Sequence, residues 1–178
     1  MANTNDPNGF TPAYHMTGGT IRPAQMRIAS ATNASIFSGD VVNLSSGYII
    51  QGTATGAPIG VFAGVYYEAT DGTPTFSKHW TADVATLGSA DAKAYVYNDP
   101  DIVYTAQFTA GTPAVSFIGN KYTLSTTAGS TSTGRSAEGV TATTSSGVAL
   151  CVGFVDTPSN SIAAYARAYF RFPANPFE

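Results

Sequence analysis

The sequence predicts an all-β fold, a small barrel or sandwich with extended N- and C-terminal arms. No window of a dozen residues keeps apolar side chains at helical spacing with good helix formers between them. The ten tyrosines and ten phenylalanines, together with abundant threonine and valine, favour half-buried pleated surfaces. Eighteen glycines and ten prolines interrupt the chain at short intervals, which is typical of strands joined by turns.

Composition divides the chain into three parts. We expect a polar N-terminal arm over residues 1–20, a single β domain over residues 21–172, and a C-terminal tail over residues 173–178. Within the domain, residues 125–147 are rich in serine, threonine and glycine, so we expect a mobile loop or an extended arm there. Isolated large side chains near both ends of the chain either dock on another chain or pack onto their own domain, and the sequence leaves both alternatives open.

The first half of the domain contains the clearest strand patterns. A hairpin is predicted at "VVNLSSGYII", residues 41–50, with Gly47 in the turn. The run "PIGVFAGVYYEA" predicts a long strand in which Gly60 and Gly64 mark a bulge or a close approach of two backbones. The sequence "DGTP" at 71–74 predicts the turn that follows this strand.

Four further runs predict strands in the second half. Residues 93–97 and 102–108 predict two more strands, and residues 148–154 and 161–172 form a final pair around the turn "DTPSN". In the last run alanines alternate with larger side chains, which is a strand pattern. Alanine and arginine are also good helix formers, so a helix is the alternative for this run.

The low charge content indicates a surface that is either polar through threonine, serine, asparagine and glycine or covered by partners, and the second alternative is favoured. Charged residues make up only 11% of the chain, whereas about a quarter is usual in a soluble domain. The net charge is −3 and the eight lysines and arginines are scattered singly, so the basic stripe that nucleic-acid binding requires is missing. No apolar run approaches the length of a membrane span, and the first residues lack the pattern of a secretory signal. We therefore expect no nucleic-acid partner, no membrane, and synthesis in a cytoplasm.

Two carboxylates, Asp99 and Asp101, flank Pro100 in "YNDPDIVY" and raise the question of a metal site or of acid–base chemistry. Asparagine and aspartate bond to their own backbone and proline presets φ, so the same residues also build a turn. A calcium loop requires further oxygen ligands at set spacing, and none follows here. The turn is therefore the favoured interpretation.

Other catalytic patterns are missing from the sequence. The single cysteine, Cys151, lies in the apolar run "GVALCVGFV", which predicts a buried thiol rather than a reactive thiolate. Of the two histidines, His15 lies in the N-terminal arm, and His79 could in principle serve as a base, but a hydrogen-bonded scaffold histidine at a strand end is the favoured interpretation. The chain contains neither a G-x-S-x-G elbow nor a glycine-rich phosphate loop. The sequence therefore predicts a protein that is not an enzyme and that needs no metal and no cofactor.

Three pieces of the sequence occur in order along the chain: "SIFSGDVVNLSSGYIIQG", "APIGVFAGVYYEATDGTPTFSKHW" and "AKAYVYNDPDIVYTAQF". This ordered series resembles the small head-associated structural proteins of tailed bacteriophages, the decoration or cement proteins. The similarity covers roughly residues 9–108, with a weaker similarity in "STGRSAEGV" and "VGFVDTPSNSIAAYARAYF". Each piece alone is unspecific, and the order of the pieces carries the resemblance.

The resemblance implies an all-β virion protein that binds the major capsid protein on the capsid exterior, as a homotrimer, and reinforces the shell. It implies no catalytic residues. Large or basic side chains near the two ends of the domain are then candidate contacts with the capsid or with other subunits: Phe10, Tyr14, Ile21, Arg22, Phe172 and Phe177. The alternative is a head-fibre or tail accessory module that binds a receptor or a surface glycan.

Overall fold

The computed structural model describes residues 3–144 and 147–176, and these residues form β-strands without any α-helix. The strands in chain order are Thr11–His15 (β1), Ala24–Ile28 (β2), Ile36–Phe37 (β3), Val41–Ser45 (β4), Tyr48–Gln51 (β5), Gly60–Glu68 (β6), Pro74–Ser77 (β7), His79–Trp80 (β8), Ala92–Tyr97 (β9), Ile102–Ala110 (β10), Lys121–Tyr122 (β11), Leu124–Ser125 (β12), Gly139–Thr141 (β13), Ala149–Phe154 (β14) and Arg167–Arg171 (β15). Two short 3₁₀ turns occur at Leu87–Ser89 and Val115–Phe117. The predicted all-β class is confirmed.

The first sheet is a nearly closed barrel of six strands. Its order is β2-β9-β6-β4-β5, with β7 paired to the far end of β6, and every pair is antiparallel. Strands β2 and β5, at the two ends of this order, lie close to each other. The barrel encloses one apolar cluster, which consists of Ile28, Ile36, Val42, Ile49, Ile59, Phe62, Val65, Trp80, Ala92, Ala94 and Val96.

The hairpins of this sheet are those that the turn residues predict. Strands β4 and β5 pair up to Ser45 and Tyr48, so that Gly47 lies in the turn between them. The predicted irregularity in β6 is confirmed as well, because its register against β9 shifts between Phe62 and Gly64. At Gly60 two backbones approach so closely that a side chain would overlap the carbonyl oxygen of Tyr97.

The second sheet contains seven strands and a separate core. Its order is β11-β14-β15-β10-β13-β12, and β1 also pairs with β10. The ring of Phe108 lies near its centre, with its centroid 5.3 Å from that of Phe170 and 5.5 Å from that of Tyr122. Val41 and Val61, which belong to β4 and β6 of the barrel, also contribute to this core. The two sheets therefore share buried side chains.

Two sequence predictions for the second sheet are wrong. The last strand begins at Arg167 instead of at residue 161, because residues 163–166 form a turn in which Ala166 N–H donates to the Ala163 carbonyl. The stretch 125–147, expected to be a mobile loop or an extended arm, contains strand β13, in which Val140 is fully buried. The strand could not be predicted from the polar composition of this stretch, because a single apolar side chain, that of Val140, anchors it in the core.

The ends of the described chain lie against the domain. Strand β1 pairs antiparallel with β10, and Phe10, just before it, is buried in the second core. In the C-terminal segment Asn175 is buried, and its side-chain amide donates to the carbonyls of Ile59 and Asn98. The sequence prediction of extended arms is therefore not met over these residues. No helix within the described ranges is long and apolar enough to cross a membrane.

Candidate functional site: the N-terminal surface and its surroundings

The structure separates the predicted contact residues into two groups. The Tyr14 side chain is 45% exposed, Arg22 is exposed as well, and Ile21 is half-buried against the second core. Phe10 and Phe172 are fully buried, with ring centroids 5.4 Å apart. The sixth candidate, Phe177, lies outside the described residues.

The burial of Phe10 and Phe172 corrects their assignment as partner contacts. Phe10 also packs edge-on against Phe170, and Phe172 packs against Tyr104. Burying a phenylalanine side chain contributes about 2 kcal/mol or more to folding. These rings therefore stabilise their own domain, and they are unavailable to a partner while the domain is folded.

The two exposed apolar side chains at the end of β1, Tyr14 and Met16, are what we call the N-terminal surface. Met16, one of the isolated large side chains of the N-terminal segment, is 52% exposed. Its backbone N–H donates to the Asp101 carbonyl at 3.0 Å, and the Tyr14 ring stands edge-on to Tyr169 at 5.5 Å. The apolar side chains of this surface are thus presented on a hydrogen-bonded support.

The two carboxylates of "NDPD" form the predicted turn. The Asp101 N–H donates to Asp99 Oδ1 at 2.9 Å, and the Ile102 N–H donates to the Asp99 carbonyl at 3.2 Å. His15 Nε2 lies 3.1 Å from Asp99 Oδ2, which ties β1 to this turn. The Asp101 backbone hydrogen bond, and after it the His15 hydrogen bond, hold the pKa of Asp99 below its ordinary value.

The same corner is the one group of metal-ligand side chains that geometry brings together within the described residues. His15, Asp99 and Asp101 each offer a ligand atom, and these atoms lie within 4.8 Å of one another. However, His15 Nδ1 accepts hydrogen bonds from the backbone N–H groups of Thr17 and Gly19. The ring proton therefore sits on Nε2, where it donates to Asp99, and the lone pair that a metal requires is missing at that atom. The hydrogen-bonded corner is the arrangement that this geometry supports.

A second pair of carboxyl groups, which sequence analysis missed, is completely buried. Asp40 and Glu138 have no exposed surface, although they lie in segments of unremarkable turn-like sequence. Asp40 Oδ2 accepts the Phe37 N–H at 2.7 Å, and Glu138 Oε2 accepts the Val41 N–H at 2.9 Å. The other oxygen of each carboxyl group has no hydrogen-bond partner among the described residues.

Burial decides how these two carboxyl groups ionise. It raises the pKa of Asp40 to about 6, and burial together with the charge of Asp40 raises the pKa of Glu138 to about 9. Glu138 therefore carries a proton at neutral pH. Because solvent does not reach either group, the pair cannot serve a substrate without opening the fold. Its position instead joins the β3–β4 segment to the segment before β13.

Comparison with known proteins found no match to this chain among family models, curated proteins or solved structures.

Proposed function

We propose that this chain is a structural virion protein that binds the outer surface of a tailed-phage capsid, as a homotrimer, and stabilises the shell. The resemblance over residues 9–108 motivates the proposal. The structural observation that carries it is the N-terminal surface, in which Tyr14 and Met16 are half-exposed in a chain with only 11% charged residues. Exposed apolar groups on a firm support are typical of a docking surface.

The physical argument combines weak contacts with symmetry. One tyrosine and one methionine bury too little area for tight binding by a single chain. A trimer would present three such surfaces, and after the first contact the others bind at a high effective concentration. A capsid offers many equivalent seams, which suits a symmetric ligand that bridges them. In this proposal the contacts with the capsid lie on the folded domain and not on a long free arm.

Co-sedimentation of the purified protein with empty capsids built from the major capsid protein tests this proposal. Replacing Tyr14 and Met16 together by serine should weaken binding at least tenfold, by about 1.4 kcal/mol or more. The matched control replaces Val115 and Ile118, two exposed apolar residues in the connection between β10 and β11, and should bind normally. The proposal fails if the wild-type protein stays in the supernatant, or if the Tyr14/Met16 variant binds as the wild type does.

Deletion of residues 1–19 is a poor substitute for these replacements. It would remove Phe10 from the core and strand β1 from its pairing with β10, so that lost binding could reflect lost folding. The side-chain replacements leave both features in place.

The second candidate is a head-fibre or tail accessory module that binds a receptor or a surface glycan. One observation favours it: Phe76, on β7, is 75% exposed and lies beside Tyr66 of β6. Electron cryo-microscopy of whole particles separates the two candidates, because a decoration protein covers the head whereas an accessory module lies on a fibre or on the tail.

A further inference from the structure

We propose that the outer face of the barrel is a binding site for a neutral oligosaccharide, centred on a row of four side chains that crosses β2, β9, β6 and β7. The row consists of Arg27, Lys93, Tyr66 and Phe76. This inference is independent of capsid binding, and it names the site and the ligand class for the glycan binding of the second candidate function.

Strand register places the four side chains on one face. Arg27 is paired with Lys93, Lys93 with Tyr66, and Tyr66 with Phe76. Directly paired residues of antiparallel strands project to the same side of a sheet. Their neighbours along the strands, such as Ile28, belong to the barrel core, so the row points away from the core. With strands about 4.8 Å apart, the row is roughly 14 Å long, which suits a short chain of sugar rings.

The aromatic end of the row provides a platform for the apolar side of a sugar ring. The rings of Tyr66 and Phe76 lie 4.7 Å apart at an angle of 46°. Phe76 has no covering side chain over most of its surface, and the Lys93 ammonium lies 5.7 Å from the centroid of the Tyr66 ring. Aromatic faces carry partial negative charge, and the C–H groups on one side of a pyranose carry partial positive charge, so the two surfaces are complementary.

The polar end of the row supplies donors and acceptors for hydroxyl groups. Arg27 Nη1 lies 3.3 Å from Asp91 Oδ2, and both side chains keep a solvent-exposed part. Two clefts adjoin here and share Asp91 and Lys93: one of about 470 Å³ extends toward Gln25, and one of about 200 Å³ extends along Tyr66. Concave sites with a few directed polar groups are typical of small-ligand binding.

Charge balance identifies the class of ligand. The two cations of the row and the two carboxylates of Asp91 and Glu68 line these clefts, so the charged groups of the clefts balance. A nucleic acid or an acidic polysaccharide would require a clear excess of cations. Hydroxyl groups both donate and accept hydrogen bonds, and therefore match clefts that are lined by both cations and carboxylates.

Calorimetric titration of the full-length protein tests the proposal. The probes are three neutral hexasaccharides of glucose or mannose with different linkages, and the comparison ligands are polygalacturonate and a single-stranded DNA 12-mer. We expect at least one hexasaccharide to bind with a Kd between roughly 10 µM and 5 mM. Phe76→Ala should weaken that binding at least tenfold and Lys93→Gln severalfold, while Val115→Ala, a change at an exposed residue of another segment, should leave it unchanged.

Several outcomes would overturn the inference. These are the absence of binding by every hexasaccharide up to about 10 mM, tighter binding of DNA or polygalacturonate, or unchanged affinity in Phe76→Ala. A change in oligomeric mass on Phe76→Ala would also overturn it, since the face would then be a subunit interface. Because Phe76 is largely exposed, this variant should fold, and unchanged capsid co-sedimentation of the same variant keeps the result separate from the proposed function.

Discussion

At the scale of single residues, the buried carboxyl groups of Asp40 and Glu138 need a physical explanation. A carboxylate without exposed surface and with one unpaired oxygen is costly, because its solvation is lost and not replaced. A proton on Glu138 removes one charge and supplies a donor in the place where the structure has only acceptors. The pair is therefore stable as one charged and one neutral group, and the second ionisation is the costly step.

We predict that Glu138→Gln makes stability less dependent on pH. The pKa of Glu138 in the folded state is about 9, above its ordinary value of 4.5, so the folded state holds this proton more tightly than the unfolded state does. Stability is then lost as pH rises from about 4.5 through 9. Glutamine cannot ionise, so the variant should resemble the wild type at pH 5 and be more stable at pH 9, by an amount on the order of a few kcal/mol.

Urea unfolding at pH 5, 7 and 9 measures this difference. Asp71→Asn is the control, because the Thr73 backbone N–H holds the pKa of the exposed Asp71 carboxyl below its ordinary value of 3.8. Asp71 contributes stability above that value and loses it only in acid, so its replacement should give a constant offset over pH 5–9. A wild-type midpoint that rises toward pH 9 would refute the prediction for Glu138.

A second residue-scale prediction concerns the corner of His15, Asp99 and Asp101. Since the Nε2 proton donates to Asp99 and Nδ1 accepts two backbone N–H groups, we expect millimolar Zn²⁺ or Ca²⁺, and likewise EDTA, to leave the melting temperature unchanged. Differential scanning fluorimetry with each addition measures this. A rise in melting temperature with Zn²⁺ that disappears in His15→Gln would show that the corner is a metal site after all.

At the scale of elements, β6 depends on a glycine at its start. A Cβ on Gly60 would overlap the Tyr97 carbonyl oxygen, which lies on backbone that cannot move without disturbing β9. We predict that Gly60→Ala lowers the free energy of unfolding by about 3 kcal/mol. Gly47→Ala is the matched control: Gly47 has φ +86° but open space around it, so the cost there should be about 1 kcal/mol. Equal effects of the two variants in urea unfolding would contradict the steric argument.

Local sequence patterns predicted the hairpins and bulges but did not predict whether isolated large side chains are buried or exposed. Gly47 and Gly64 act through backbone geometry that depends on near neighbours, so their roles could be predicted from the sequence. Phe10 could equally have joined a partner or its own core, because that choice depends on β10 and β15, which are distant in sequence. Glu138 gave no sign of burial, since its environment is created by the β3–β4 segment about a hundred residues earlier.

The candidate surfaces were predictable to a similar, limited degree. Tyr14 and Arg22 are exposed in the segment where the sequence placed them. The row of Lys93, Tyr66 and Phe76 exists only through the pairing of β9, β6 and β7, so no linear pattern could show it. Contacts that depend on register become visible only when the register is known.

At the scale of the whole molecule, the two sheets are held together by buried groups from both. Val41 and Val61 of the barrel enter the second core, and the Val41 N–H donates to Glu138 in the connection before β13. The N-terminal surface thus lies on the second sheet, and the Tyr66–Phe76 platform lies on the barrel packed against it. The two proposed binding surfaces therefore lie on different sheets of the same body.

The last prediction is that this body assembles into a trimer in solution. With 11% charged residues, few repulsive charges keep the chains apart, and exposed apolar side chains such as Leu44 and Ile162 lie outside both proposed surfaces. Burying such groups between copies is favourable at about 25 cal/mol per Å² of apolar surface. Light scattering coupled to gel filtration at micromolar concentration should therefore give the mass of three chains, and Phe76→Ala should give the same mass. Replacing Leu44 and Ile162 by glutamate should shift the mass toward a single chain, and a wild-type protein that elutes as a stable monomer would refute the trimer.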